Sequence, residues 1–217
     1  MMAPSGTLSG YDYIRIGRGE NYLMIMSKEE YKLYLKADQI ALSKTRFKRP
    51  PLLREHLWRY QRLLRKCEYY KNCRKDPVGR LYYWFLYYRF IRRSMFFGFT
   101  IAPNTIGKGL AIEHYPGIIL SHDAKYGDFF RVHAGVTVGN YRGKQAPIIG
   151  NCVYVGPGAK IFGGITIGDN VAIGANAVVN KDVPPNVSVA GVPAKIISNK
   201  GSTDPENPLI RYDASLL

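Results

Sequence analysis

Aliphatic residues recur every six positions along the second half of this chain. Ile149, Val155, Ile161, Ile167, Ile173 and Val179 are spaced six apart, and Gly150, Gly156, Gly168 and Gly174 follow four of them. The same count runs upstream through Ile106, Ile112, Ile118, Ala124, Phe130 and Val136, leaving one interruption, Arg142 to Ile148. An amphipathic helix needs a period near 3.6, so a period of six excludes it. It predicts a coil of short parallel strands in which each repeat turns one aliphatic inward and a small residue makes the corner. Three repeats make one triangular turn. A second inward position, four residues after the first, carries Leu110, Val153, Ala159, Ile165, Val171, Ala177 and Val183, small or branched residues suited to a narrow β interior.

The chain ahead of the coil has a different character. Residues 1 to 100 contain 21 Lys and Arg against 8 Asp and Glu, whereas 101 to 217 contain 10 against 8, so nearly all of the net charge of +15 precedes the coil. Such a segment suits nucleic acid, an anionic membrane surface or an acidic substrate, and equally a solvated helical face. Residues 1 to 22, rich in Gly, Ser and Tyr, predict a loosely ordered start. Ser27 ahead of Glu29 and Glu30 predicts a helix N-terminus, with Tyr31, Leu35 and Leu42 as its stripe, broken over Phe47 to Pro51. A second helix is expected from about Leu52 to Tyr70, with Leu53, Leu57, Tyr60, Leu64 and Cys67 inward and Arg54, Arg59, Arg62, Arg65 and Lys66 on other faces.

The third segment, Leu81 to Phe97, interleaves seven aromatics from Tyr82 to Phe90 with Arg89, Arg92 and Arg93. It reads as an oligomer or coil contact, or as a helix lying in a membrane surface; nucleic acid is not expected. No apolar run of about 18 residues and no leader pattern are present, which predicts a cytoplasmic protein, with the inner membrane face as the variant. Cys67, Cys73 and Cys152 lack metal-site spacing and predict reduced thiols. The expected organisation is a basic, aromatic-rich helical region over 1–99, a coil over 100–200 and a polar tail over 201–217 without fixed structure.

Three of the four histidines lie within the coil: His114, His122 and His133. Counted in sixes, His114 and His133 fall on one side in consecutive turns, which stack about 4.8 Å apart, and His122 falls in an inward phase. An imidazole pair on a rigid β surface is suited to taking a proton from a hydroxyl near neutral pH. The same residues also read as a surface ladder. A metal site is not predicted, because Glu113, Asp123, Asp128 and His122 supply no recognised ligand spacing. No serine elbow, Walker loop or dinucleotide fingerprint is present in its proper context.

Four segments then carry a resemblance: Ile106 to His114, Val132 to Gly139, Gly156 to Gly163, and the terminal Ala190-Gly-Val-Pro-Ala-Lys195. Over residues 100–200 the chain resembles the hexapeptide-repeat acyltransferases, specifically the serine acetyltransferase-like branch. The resemblance implies a left-handed parallel β-helix, a homotrimer, and acetyl-coenzyme A as co-substrate in a groove between subunits. It implies that His114 deprotonates the acceptor hydroxyl, that Glu113 orients it, and that His133 contributes beside it. It also implies coenzyme contacts at Asn140, Pro157 and Ala175, with Lys160 and Lys195 near the phosphates. Two positions depart from the cysteine-pathway enzymes: Thr100 stands where they carry an aspartate and Ala146 where they carry a second histidine. The segment Val132-His133-Ala134-Gly135 is instead similar to acetyltransferases of cell-surface polysaccharide synthesis. The acceptor is therefore expected to be serine or a sugar hydroxyl. A β-helix of this kind serving as a non-catalytic scaffold is the alternative of another class.

Overall fold

A computed structural model describes residues 24–44, 50–51, 54–141, 145–205 and 209–210. Residues 1 to 22, the Phe47 to Arg49 part of the helix break, the inward position at Leu53 and the tail beyond Ile210 lie outside them. Among the described residues, three helices precede the coil: α1 (Lys28–Ala41), α2 (His56–Cys73) and α3 (Pro77–Phe97). The Ser27 hydroxyl caps α1 by accepting the Glu30 amide, and the Asp76 carboxylate caps α3 by accepting the Gly79 amide, with Pro77 in the first turn, where its missing donor costs nothing. Gly98, in the left-handed region at φ 66°, ends α3.

Thirteen short strands follow among the described residues, from β1 (Ala111–Ile112), β2 (Ile119–Leu120) and β3 (Lys125–Tyr126) through β4 (Arg131–Val132), β5 (Thr137–Gly139) and β6 (Ile148–Ile149) to the end of the coil. The later ones are β7 (Tyr154–Val155), β8 (Lys160–Phe162), β9 (Thr166–Ile167), β10 (Ala172–Ile173), β11 (Val178–Val179), β12 (Ser188–Ala190) and β13 (Lys195–Ser198). They form three faces of a left-handed parallel β-helix, β1-β4-β7-β10-β12-β13, β2-β5-β8-β11 and β3-β6-β9. Every pair is parallel except β12 with β13, an antiparallel hairpin at the terminal Ala190–Lys195 segment. All twelve hexad positions are buried. Where successive turns approach most closely only glycine fits: a Cβ on Gly127 would lie 2.5 Å from the Gly150 carbonyl oxygen.

The ladder corrects the hexad count in one respect. Ile112 pairs with Val132, Val132 with Val155, and Val155 with Ile173. The first of these steps is 20 residues and the last 18, so two extra residues sit between β1 and β2, in the segment His114 to Gly117. The break in the repeat at Arg142 to Ile148 is thus not the sole interruption. The six-residue pattern hides this insertion because a strand alternates with period two, and a shift of two residues leaves the same parity facing inward. Its consequence falls on His122. Instead of pointing inward, its side chain is 80% exposed beside Asp123, and Leu120 and Tyr126 fill the interior.

The helices close the open end of the coil, and they do so with polar groups. Gln61 Nε2 donates to the Leu110 carbonyl at 2.6 Å, and its Oε1 accepts the Ile112 amide at 3.0 Å. Arg65 donates to the carbonyls of Ile106 and Gly107, while Asp38 accepts the amides of Gly109 and Leu110. Asp38 and Glu68 both pair with Arg65, at 2.9 and 3.1 Å, with all three side chains buried. Burial drives both carboxyls above the usual carboxylate range against the pull of Arg65. Arg65, expected on a face other than the apolar stripe, is nonetheless buried: an edge strand carries unpaired backbone groups that need partners, and Arg65 reaches them. In α1 the buried face is Tyr34, Ala37, Asp38 and Ala41 rather than Tyr31 and Leu35, because Asp38 must meet the coil. The start of the tail is also ordered, contrary to expectation. Ser202 is fully buried and bonded to the Cys152 carbonyl, and Ile210 packs with Ala37, Ala111 and Phe129.

Candidate active site

The edge of the prism between the β1 face and the β2 face collects the histidines. His114 follows β1, His133 follows β4, and their ring centroids lie 5.8 Å apart. The insertion makes Glu113, not His114, the register neighbour of His133, since Ile112 faces Val132. Its extra length carries the exposed His114 ring back over His133. Tyr154, one turn further on, packs its ring against His133 at a tilt, with centroids 5.1 Å apart.

Glu113 is committed differently from the orienting role over His114. Its carboxylate meets Arg131 at 3.1 Å, and Arg131 in turn donates to the Ala41 carbonyl at 2.6 Å, tying the site to the end of α1. Partial burial pushes His133 below the ordinary histidine value, with His114 and Arg131 adding to that and the Glu113 carboxylate opposing it. The shift favours the neutral ring of His133, the form able to accept a proton. Arg131 and Tyr154 were missed by the sequence reading. Both occupy outward ladder positions, and only the register of β1, β4 and β7 places them beside the histidines.

Of the five expected coenzyme contacts, the structure brings Pro157 and Ala175 to the histidine edge, both exposed at corners of later turns. Lys195 is exposed on β13. Lys160 lies along the outer face of β8, half-buried: its ammonium donates to the Gly135 carbonyl at 2.6 Å and the Thr137 hydroxyl at 3.0 Å, which removes it as a freely presented phosphate partner. Asn140 lies on a different edge, between the β2 and β3 faces, where it bonds Ser121 and Asp123. On that edge a groove of about 840 Å³ opens between Tyr141, Phe162, Gly163, Gly164 and Asn180. Within one chain the groove and the imidazole pair therefore stand on separate edges.

The family model for the bacterial transferase hexapeptide, six repeats, matches residues 146–181. A serine acetyltransferase of Synechococcus elongatus is 41% identical over 108 residues, 48% of this chain and 44% of that protein, so the chain spans less than half the length of that relative. The structure of Brucella abortus serine acetyltransferase in complex with coenzyme A superposes with a TM-score of 0.62 at 31% identity, covering 80% of this chain and 70% of that one. Neisseria gonorrhoeae serine acetyltransferase in complex with serine gives 0.61 at 30%, covering 79% and 71%.

Proposed function

This chain belongs to the serine acetyltransferase family of hexapeptide-repeat transferases, and we propose that it transfers acetyl from acetyl-coenzyme A directly to a hydroxyl acceptor. The observation that carries this reading is the imidazole pair of His114 and His133, 5.8 Å apart on the edge that also carries Pro157 and Ala175. His114, the exposed member, takes the proton of the acceptor hydroxyl. The acceptor oxygen then attacks the acetyl carbonyl, the carbon–sulfur bond breaks, and the coenzyme leaves as its thiol, receiving the proton that His114 had held. Backbone amides at the coil corners are suited to stabilising the oxyanion. No acyl-enzyme is required, because holding both reactants together supplies the proximity advantage. Glu113, locked by Arg131, sets the field around His133.

The acceptor is serine, as the bound relative suggests, or a sugar hydroxyl, which Thr100 and Ala146 favour because they remove the acid and the second histidine of the cysteine-pathway pattern. A homotrimer fits the placement of groove and histidines on separate edges, since a neighbouring copy brings the groove of one chain to the imidazoles of the next. Lys195, exposed, is the basic residue we assign to the coenzyme phosphates. A cytoplasmic location, with residues 81–97 in peripheral contact with the inner membrane face, belongs to the same reading.

An acceptor screen that follows free thiol release, with L-serine against sugars and nucleotide-sugars, tests the reaction. His114→Ala should lower transfer by roughly 10² to 10⁴. Undiminished transfer in that variant overturns the assignment. Absence of any thermal shift with millimolar acetyl-coenzyme A would instead favour a scaffold, since a ligand stabilises the state that binds it.

A further inference from the structure

Helix α3 is apolar on two opposite sides. Leu86, Phe90 and Phe97 are buried toward α2 and the coil, while Leu81, Trp84, Tyr88 and Met95 point the other way, the last three 63%, 61% and 73% exposed. Phe96, 81% exposed, continues that surface to the end of the helix. A helix apolar all round is ordinarily covered on all sides, and a continuous exposed apolar face of this kind marks an interaction surface. The same 21 residues hold Arg80, Arg89, Arg92 and Arg93 and no acid. Burial, and then the charges of Arg59 and Arg89 nearby, hold Arg93 below its ordinary value.

The charge pattern selects the occupant. A symmetric contact with a second copy would set α3 against α3, bringing eight arginines together without a counter-charge from either helix. An anionic lipid surface answers both features, because apolar side chains enter the acyl boundary, Trp and Tyr sit at headgroup depth, and guanidinium groups reach the phosphates. Among the described residues no helix is long and apolar enough to cross a membrane, so α3 would lie along the surface. Its C-terminus adjoins the catalytic corner: the Phe97 ring packs on Tyr115 at 5.2 Å, and the Gly117 amide donates to the Phe97 carbonyl.

We propose that the outward face of α3, centred on Trp84, Tyr88 and Met95, docks on an anionic membrane and holds the His114 corner at the lipid surface, where a membrane-borne hydroxyl is within reach. Docking stands on its own; the nature of the acceptor rests on the acetyl-transfer reading above.

Vesicle sedimentation at low salt separates the two. The chain should pellet with vesicles of phosphatidylcholine carrying about 30 mol % phosphatidylglycerol and stay in solution with phosphatidylcholine alone. Of the two tryptophans, Trp58 is buried, so a shift of emission to shorter wavelength on vesicle addition reports Trp84 and should vanish in Trp84→Phe. Arg89→Gln and Arg92→Gln should each weaken partitioning roughly fivefold. His114→Ala should pellet as the unaltered chain does, so undiminished transfer in that variant with docking intact counts against the acetyl-transfer reading alone. Docking is overturned if the chain stays in solution with the anionic vesicles, or if Trp84→Ser/Tyr88→Ser/Met95→Ser pellets undiminished. It is equally overturned if that triple variant lowers only the molar mass by light scattering, which would assign the face to a second copy.

Discussion

Gln61 closes the first turn of the coil by holding Ile112: its Oε1 accepts the Ile112 amide at 3.0 Å while its Nε2 donates to the Leu110 carbonyl. A helix side chain thus stands in for the strand that an outermost turn lacks. Glu113 and His114 follow directly, so the same contact anchors the start of the candidate site. Gln61→Leu keeps the volume and leaves two buried backbone groups unpaired. It should cost about 2–6 kcal/mol in urea unfolding, at about 1–3 kcal/mol for each orphaned group, and transfer should fall with it.

Arg65 has its whole guanidinium committed, to Asp38, to Glu68 and to two coil carbonyls. Arg65→Met leaves two buried carboxyls facing each other and should destabilise by about 3–5 kcal/mol. Urea unfolding of Arg65→Met, and of Arg65→Met/Asp38→Asn/Glu68→Gln with the carboxyls neutralised, checks the cause. The triple variant should recover part of the loss.

Glu113→Gln removes the carboxylate that raises His133 and frees Arg131. The pair is partly exposed, so the stability change should stay within about 1 kcal/mol. His133 should titrate lower still, moving the acid limb of the pH–rate profile toward lower pH. An unchanged limb would remove His133 from the proton path.

His133 also links pH to stability. Its folded value is depressed below 6.5, so the unfolded chain binds more protons between the two values. The stabilising contribution is present above the unfolded value and lost as pH falls through the folded one. The melting temperature should therefore fall between pH about 7 and about 5, and His133→Asn should flatten that part of the curve.

Cys67 is fully buried and its thiol is pushed up to about 12; Cys152 is pushed up to about 11. Both should resist thiol reagents in the folded protein at pH about 8. Mass spectrometry after brief labelling should find modification at Cys73 first, the remaining two reacting only after unfolding.

The sequence by itself determined the coil. Six-residue spacing of Ile, Val and Ala is a direct consequence of three-sided winding around a narrow interior, so the period, the corner glycines and the proximity of His114 to His133 were all legible. What only the tertiary structure decided depends on register and on ends. Parity hides a two-residue insertion, and that insertion chose Glu113 as the neighbour of His133 and moved His122 to solvent, while the register of β1, β4 and β7 set Arg131 and Tyr154 beside the histidines. The open edge of the first turn needed backbone partners, which drew Asp38, Gln61, Arg65 and Glu68 inward although their chemistry reads as surface. Hydrophobic periodicity records which side chains leave water. It is silent on which polar groups must follow them to satisfy a strand edge.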